Sequence, residues 1–159
     1  MTNAEKLVLL LSSSGEKGKK LVLAESCTAG LIANLLAEVP GASKILWGSF
    51  VCYTISAKNK MLGISEDSIE QYGAVSKETA CAMAKGALEK SDADIAISIT
   101  GLAGPQGDGS GVPIGTIWIG IALKQEIFAK KFNFAGSRNE VRKKSAETAI
   151  KELLAYLQV

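Results

Sequence analysis

A chain of 159 residues, 47% hydrophobic, has the length for a single domain over 1–159 and the apolar content for a buried core, which argues against intrinsic disorder. A net charge of +2 gives no reason to expect nucleic acid, and the early apolar run Leu7 to Leu11 is too short to span a bilayer, so no membrane or secretory segment is read and a cytoplasmic protein is expected. Three cysteines without a CxxC argue against a disulfide framework or a zinc site. The absence of histidine removes the Ser-His-Asp triad, the Cys-His pair and histidine-ligated metals.

In chain order, Thr2 and Glu5 predict a capping box before an apolar helix that Gly18 can stop. KLVLAE (20–25) predicts a buried strand. Leu31, Ile32, Leu35, Leu36 and Val39 repeat at helical spacing, and Pro40-Gly41 closes that helix. Residues 45–54 predict a second strand. Ser56 is expected to cap a short helix ending at Gly63, Ser65 a second ending at Gly73, and Ser76 a third running to about Lys90. ADIAISIT (93–100) predicts a third strand, buried on both faces. After a glycine-rich loop (101–113), GTIWIGIAL and EIFAKKFNF predict a hairpin across Lys124-Gln125. Ser137 opens a last helix to Leu157. This order predicts a three-layer α/β/α domain with a mostly parallel, mixed sheet of about five strands.

Such sheets bind ligands at the carboxyl ends of their strands. The stretch AESCTAG (24–30) falls there, where a strand becomes a helix, with Ser26, Cys27 and Thr28 together. Ser26 or Thr28 could simply cap that helix. A serine nucleophile needs a base, and lysine can replace the missing histidine. Lys58, near the start of a short helix, is the lysine that position favours. An unperturbed lysine is only about 0.04% neutral at pH 7, so a useful base needs a pKa lowered by about 3, worth about 4 kcal/mol. The helix dipole supplies only about 0.3–1 kcal/mol, and burial must supply the rest. Tyr53, on the preceding strand, could relay a proton with Lys58. Spacing alone favours a solvated lysine and a core tyrosine.

AESCTAG, FVCY (50–53) with YTISAK, YGAVS (72–76), ITGLAGP (99–105), PIGTIWIGIA (113–122) and GSRNEVR (136–142) occur in this order. Together they resemble the CinA C-terminal domain family, whose standalone members include nicotinamide mononucleotide deamidases. The resemblance runs from about residue 4 to 157. It implies an amidohydrolase that converts nicotinamide mononucleotide to nicotinate mononucleotide and ammonia in pyridine nucleotide salvage, without metal or cofactor. The family's serine, tyrosine and lysine fall on Ser26, Tyr53 and Lys58. Backbone N–H groups at Cys27, Thr28 and Ala29 are the expected oxyanion donors. Thr100, Gly101 and Gly104 are expected substrate contacts. Arg138 and Arg142, one turn apart behind the capping box Ser137/Glu140, are expected to meet the substrate phosphate, although both could belong to a solvated basic face. The expected partners are a small-molecule nucleotide and a second copy in a homo-oligomer, with a dimer as one form, and neither nucleic acid nor membrane.

Three positions depart from the family pattern. Ala29 stands for a glycine, Ser137 for an aspartate, and Ile55 for an asparagine two residues after the tyrosine. The last raises the alternative of a nucleotide-binding relative with weak or no catalysis. A short-chain dehydrogenase also uses Ser, Tyr and Lys, but it needs the tyrosine four residues before the lysine, where here the gap is five, and a glycine-rich dinucleotide turn that this chain lacks.

Overall fold

The computed structural model describes residues 1–158. The elements are α1 (Asn3–Ser12), β1 (Leu21–Glu25), α2 (Leu31–Ala37), β2 (Leu46–Val51), α3 (Ile55–Leu62), α4 (Glu66–Tyr72), α5 (Lys77–Glu89), β3 (Ile95–Gly101), β4 (Thr116–Leu123), β5 (Glu126–Asn133) and α6 (Arg138–Leu157). The sheet order is β2-β1-β3-β4-β5. The β1–β2 and β1–β3 pairs are parallel, while β4 runs antiparallel to both β3 and β5. Four strands therefore share one direction, and β4 alone is reversed. The hairpin closes with Leu123 opposite Glu126, which leaves Lys124-Gln125 as a two-residue turn.

Each face of the sheet carries a core, and the pleat divides them. Leu21 and Leu23 pack with Leu7, Leu11, Ile32, Leu36 and Leu153 of α1, α2 and α6. Val22 and Ala24 pack with Leu62, Ile69, Met83 and Ala87 of α3, α4 and α5. The second face is built from smaller side chains, and the helix over it sits close. A Cβ on Gly120 would lie 2.6 Å from the Ala80 carbonyl oxygen of α5, and one on Gly86 would lie 2.5 Å from that of Leu62. Among the described residues no helix is long and apolar enough to cross a membrane.

Several boundaries differ from expectation. α1 stops at Ser12 and does not reach Gly18, because Ser13 and Ser14 turn their hydroxyls back onto the Leu9 and Leu10 carbonyls. α3 begins two residues early: Thr54, not Ser56, accepts the capping bond, from the Ala57 N–H. The caps by Ser65 and Ser76 and both capping boxes are present.

Candidate active site

Parallel β1, β2 and β3 end side by side, so the segments that leave them meet. A cavity of about 290 Å³ lies over these ends, lined by Ser26 and Cys27 after β1, Tyr53 and Lys58 after β2, and the segment from Thr100 to Gly104 after β3. A larger cavity of about 400 Å³ lies between α1, α2 and α6. Its titratable lining is Glu5, Glu38 and Glu147, with no basic group.

Lys58 is 2% exposed, although it sits on a short polar helix. Its Nζ lies 3.1 Å from Ser26 Oγ, 3.1 Å from the Cys52 carbonyl oxygen and 3.3 Å from that of Tyr53. As an ammonium it donates to all three. As a neutral amine it has two N–H groups for the two carbonyls and one lone pair for the Ser26 proton. Burial pushes the Lys58 pKa below the ordinary lysine value; thiolates at Cys52 and Cys27 would raise it. Neither thiolate forms near neutrality: burial drives the Cys27 pKa up to about 11 and raises that of Cys52 too. Burial therefore favours the neutral form of Lys58, and Cys27 remains a thiol and a poor nucleophile.

What holds the serine turn is Glu25, a residue that the sequence reading did not single out. It is fully buried. Its Oε2 accepts from the Thr28 hydroxyl (2.7 Å) and the N–H groups of Gly30 (3.0 Å) and Ile32 (3.1 Å). Its Oε1 accepts from the Ala33 N–H (3.0 Å) and the Ser49 hydroxyl (3.0 Å). The carboxylate thus takes the free donors at the start of α2 and ties them to β2. The one sequence signal was an acid at the end of an apolar strand, directly before a helix.

The expected oxyanion donors divide. Ala29 N–H bonds the Ser26 carbonyl (3.0 Å) and is used up. Among the described residues, no hydrogen bond uses the N–H of Cys27 or Thr28. Of the two, Cys27 lines the cavity and its N–H is free for a substrate oxygen, whereas Thr28 is fully buried and does not line it. Ala29 sits at φ +49°, in the left-handed region, where alanine costs roughly 1–2 kcal/mol and glycine little.

The other expected contacts are placed as follows. Tyr53 lines the cavity, but its hydroxyl accepts from Arg138 Nη2 (2.7 Å), and its link to Lys58 runs through the backbone carbonyl. A direct relay between the two side chains is not formed. Arg138 also lines the cavity and donates to the Gly104 carbonyl (2.8 Å). Arg142 is turned away: it donates to the carbonyls of Cys27 (2.9 Å) and Thr28 (3.0 Å) and to Asn139 Oδ1 (3.1 Å). It braces the serine turn and is absent from the cavity wall. The Thr100 hydroxyl donates to the Ala74 carbonyl (2.7 Å), so its proton is committed. Gly101 is required by packing, since a Cβ there would lie 2.7 Å from the Thr116 carbonyl oxygen. Ile55 is 41% exposed and does not line the cavity. Ser137 caps α6 in the aspartate's place.

The sequence profile of the CinA C-terminal domain matches residues 3–157. The chain belongs to the CinA C-terminal domain family. It is 41% identical to the nicotinamide-nucleotide amidohydrolase PncC of Enterobacter agglomerans, over 87% of each chain. It is 44% identical to a CinA-like protein of Endomicrobium trichonymphae over 85% of this chain. It spans about a third of the length of that relative and of similar larger ones. A CinA superfamily protein from Escherichia coli has the same fold, with a TM-score of 0.87 at 37% identity over 95% of this chain and 88% of that one. One from Klebsiella pneumoniae reaches a TM-score of 0.93 at 28% identity over 98% and 96%.

Proposed function

We propose that this CinA-family domain hydrolyses the carboxamide of nicotinamide mononucleotide through Ser26 and Lys58. The observation that carries the reading is the buried Lys58 amine, without an acidic partner among the described residues and 3.1 Å from the Ser26 hydroxyl. The 41% identity to a nicotinamide-nucleotide amidohydrolase supports the choice of substrate.

Neutral Lys58 takes the Ser26 proton as Oγ bonds to the carboxamide carbon, and the carbonyl pair moves onto oxygen. The Cys27 N–H, on the cavity wall, stabilises that oxyanion. On collapse the C–N bond breaks, the Lys58 ammonium protonates the nitrogen, and ammonia leaves. Water then adds to the Ser26 ester with Lys58 again as base. The second collapse returns the proton to Oγ and releases nicotinate mononucleotide. Tyr53 and Arg138, at the cavity wall, hold the sugar side of the substrate. Arg142, bonded to the Cys27 and Thr28 carbonyls, braces the turn that carries Ser26.

The test is ammonia release from nicotinamide mononucleotide by the purified protein with a chelator present. Turnover is expected in wild type and its near-complete loss in Ser26→Ala. Full activity of Ser26→Ala would sink the nucleophile assignment. Binding without turnover in wild type would instead support a nucleotide-binding relative.

A further inference from the structure

The sheet ends in two edge strands, β2 and β5, and the sequence treats them differently. A free edge offers unpaired N–H and C=O groups to any other strand, and proteins that stay apart blunt it with charge or proline. β5 is blunted in this way, by Glu126, Lys130 and Lys131. β2, LWGSFV (46–51), carries neither a charge nor a proline. Among the described residues its backbone pairs with β1 alone.

The side chains of β2 point the same way. Trp47 is 42% and Val51 41% exposed, and just beyond the strand Tyr53 and Ile55 are exposed as well. Trp47 stacks on Phe50, with ring centroids 5.9 Å apart, so the indole is held against its own strand. The register with β1 shifts between Leu21 and Val22, beside Trp47. Such a bulge blunts an edge locally. From Gly48 to Val51 the ladder then runs in step, and the Cys52 N–H extends it to the Glu25 carbonyl (2.9 Å). Residues 48–52 therefore remain as a regular, uncharged edge.

We propose that β2 is a homodimer interface, in which the β2 edges of two copies pair antiparallel about a two-fold axis and join the two sheets into one. The charge pattern selects a second copy as the occupant. A two-fold axis sets a strand against itself, so a charged strand meets its own charge. β2 has none to meet, whereas β5 would set lysine near lysine. Centred on Ser49, the pairing brings Trp47 of each chain to the Val51 end of the other, and the two exposed apolar side chains cover one another. A contact confined to one strand edge lies at the small end of protein interfaces, so the dimer is expected to dissociate on dilution. The pairing is independent of the amidohydrolase reading, and its failure would leave that reading untouched.

The test is self-association of the full chain. Sedimentation velocity across a dilution series should show dimer at high concentration and monomer at low. Hydrogen exchange should show the amides of residues 48–52 gaining protection as the dimer forms, with those of β5 unchanged. Trp47→Lys and Val51→Lys should each weaken association by roughly tenfold or more, since an edge lysine opposes strand pairing. Ile127→Lys, at an equally exposed apolar position on β5, should leave it unchanged. Circular dichroism checks that each variant is folded, and the exchange measurement on wild type decides the matter without any substitution. A chain that is monomeric at every concentration overturns the proposal and leaves the edge to a strand of another protein. A dimer that protects other segments but not 48–52, or that survives both β2 variants, overturns it too.

Discussion

The chemistry at residue scale turns on one proton. Lys58 Nζ has two backbone carbonyls and one hydroxyl around it, and burial favours the uncharged form. Activity should therefore rise with pH through an acid limb set by Lys58, with its midpoint below the ordinary lysine value of 10.5. The sign for stability follows from the same shift. Between the lowered folded pKa and 10.5 the unfolded chain binds more protons, so stability rises with pH across that window. Below the folded pKa both states are protonated and that gain is absent. Urea denaturation across pH is expected to show the rise in wild type and a flatter profile in Lys58→Met. An identical slope in the two proteins would mean that Lys58 titrates as an ordinary surface lysine. The missing histidine and the position of Lys58 suggested the candidate Ser-Lys pair, and only the family motifs tipped the reading toward it. Spacing favoured a solvated lysine, because nothing in a short polar helix announces that one of its lysines is 2% exposed.

At the scale of elements, the strand-to-helix joint of β1 and α2 depends on Glu25. Five donors converge on its carboxylate. Glu25→Ala strands three backbone N–H groups and two hydroxyls, so a loss of about 3–5 kcal/mol is expected from equilibrium unfolding. Glu25→Gln keeps the volume but replaces one acceptor with a donor, and should cost about half as much. A loss below ~1 kcal/mol for Glu25→Ala would show that the joint does not depend on it. The ends of elements were legible where capping chemistry is local, as at Ser65, Ser76 and Ser137. They were misread where two cap-competent residues compete, as at Thr54 and Ser56. The role of Arg142 was illegible for a different reason: its carbonyl partners are 114 and 115 residues away in sequence. A basic residue at a helix start suggested an anion, but the structure supplies carbonyl oxygens.

For the whole molecule, the parallel order β2-β1-β3 brings Ser26, Tyr53, Lys58 and the Gly101 segment to one place, as the carboxyl-end rule anticipates. That convergence was readable from the order of strands and helices, because apolar runs and caps fix the order. The exposed position of Ile55 was not, and it changes the weight of that departure: a side chain off the cavity wall does not set the polarity around Lys58. Ser26 and Lys58 are expected to act as one unit, and the direct measurement is a double-mutant cycle on kcat/KM for nicotinamide mononucleotide. Ser26→Ala and Lys58→Ala should each remove nearly all activity, with the double variant losing little more. Losses that multiply, or a Lys58→Ala enzyme close to wild type, would contradict it.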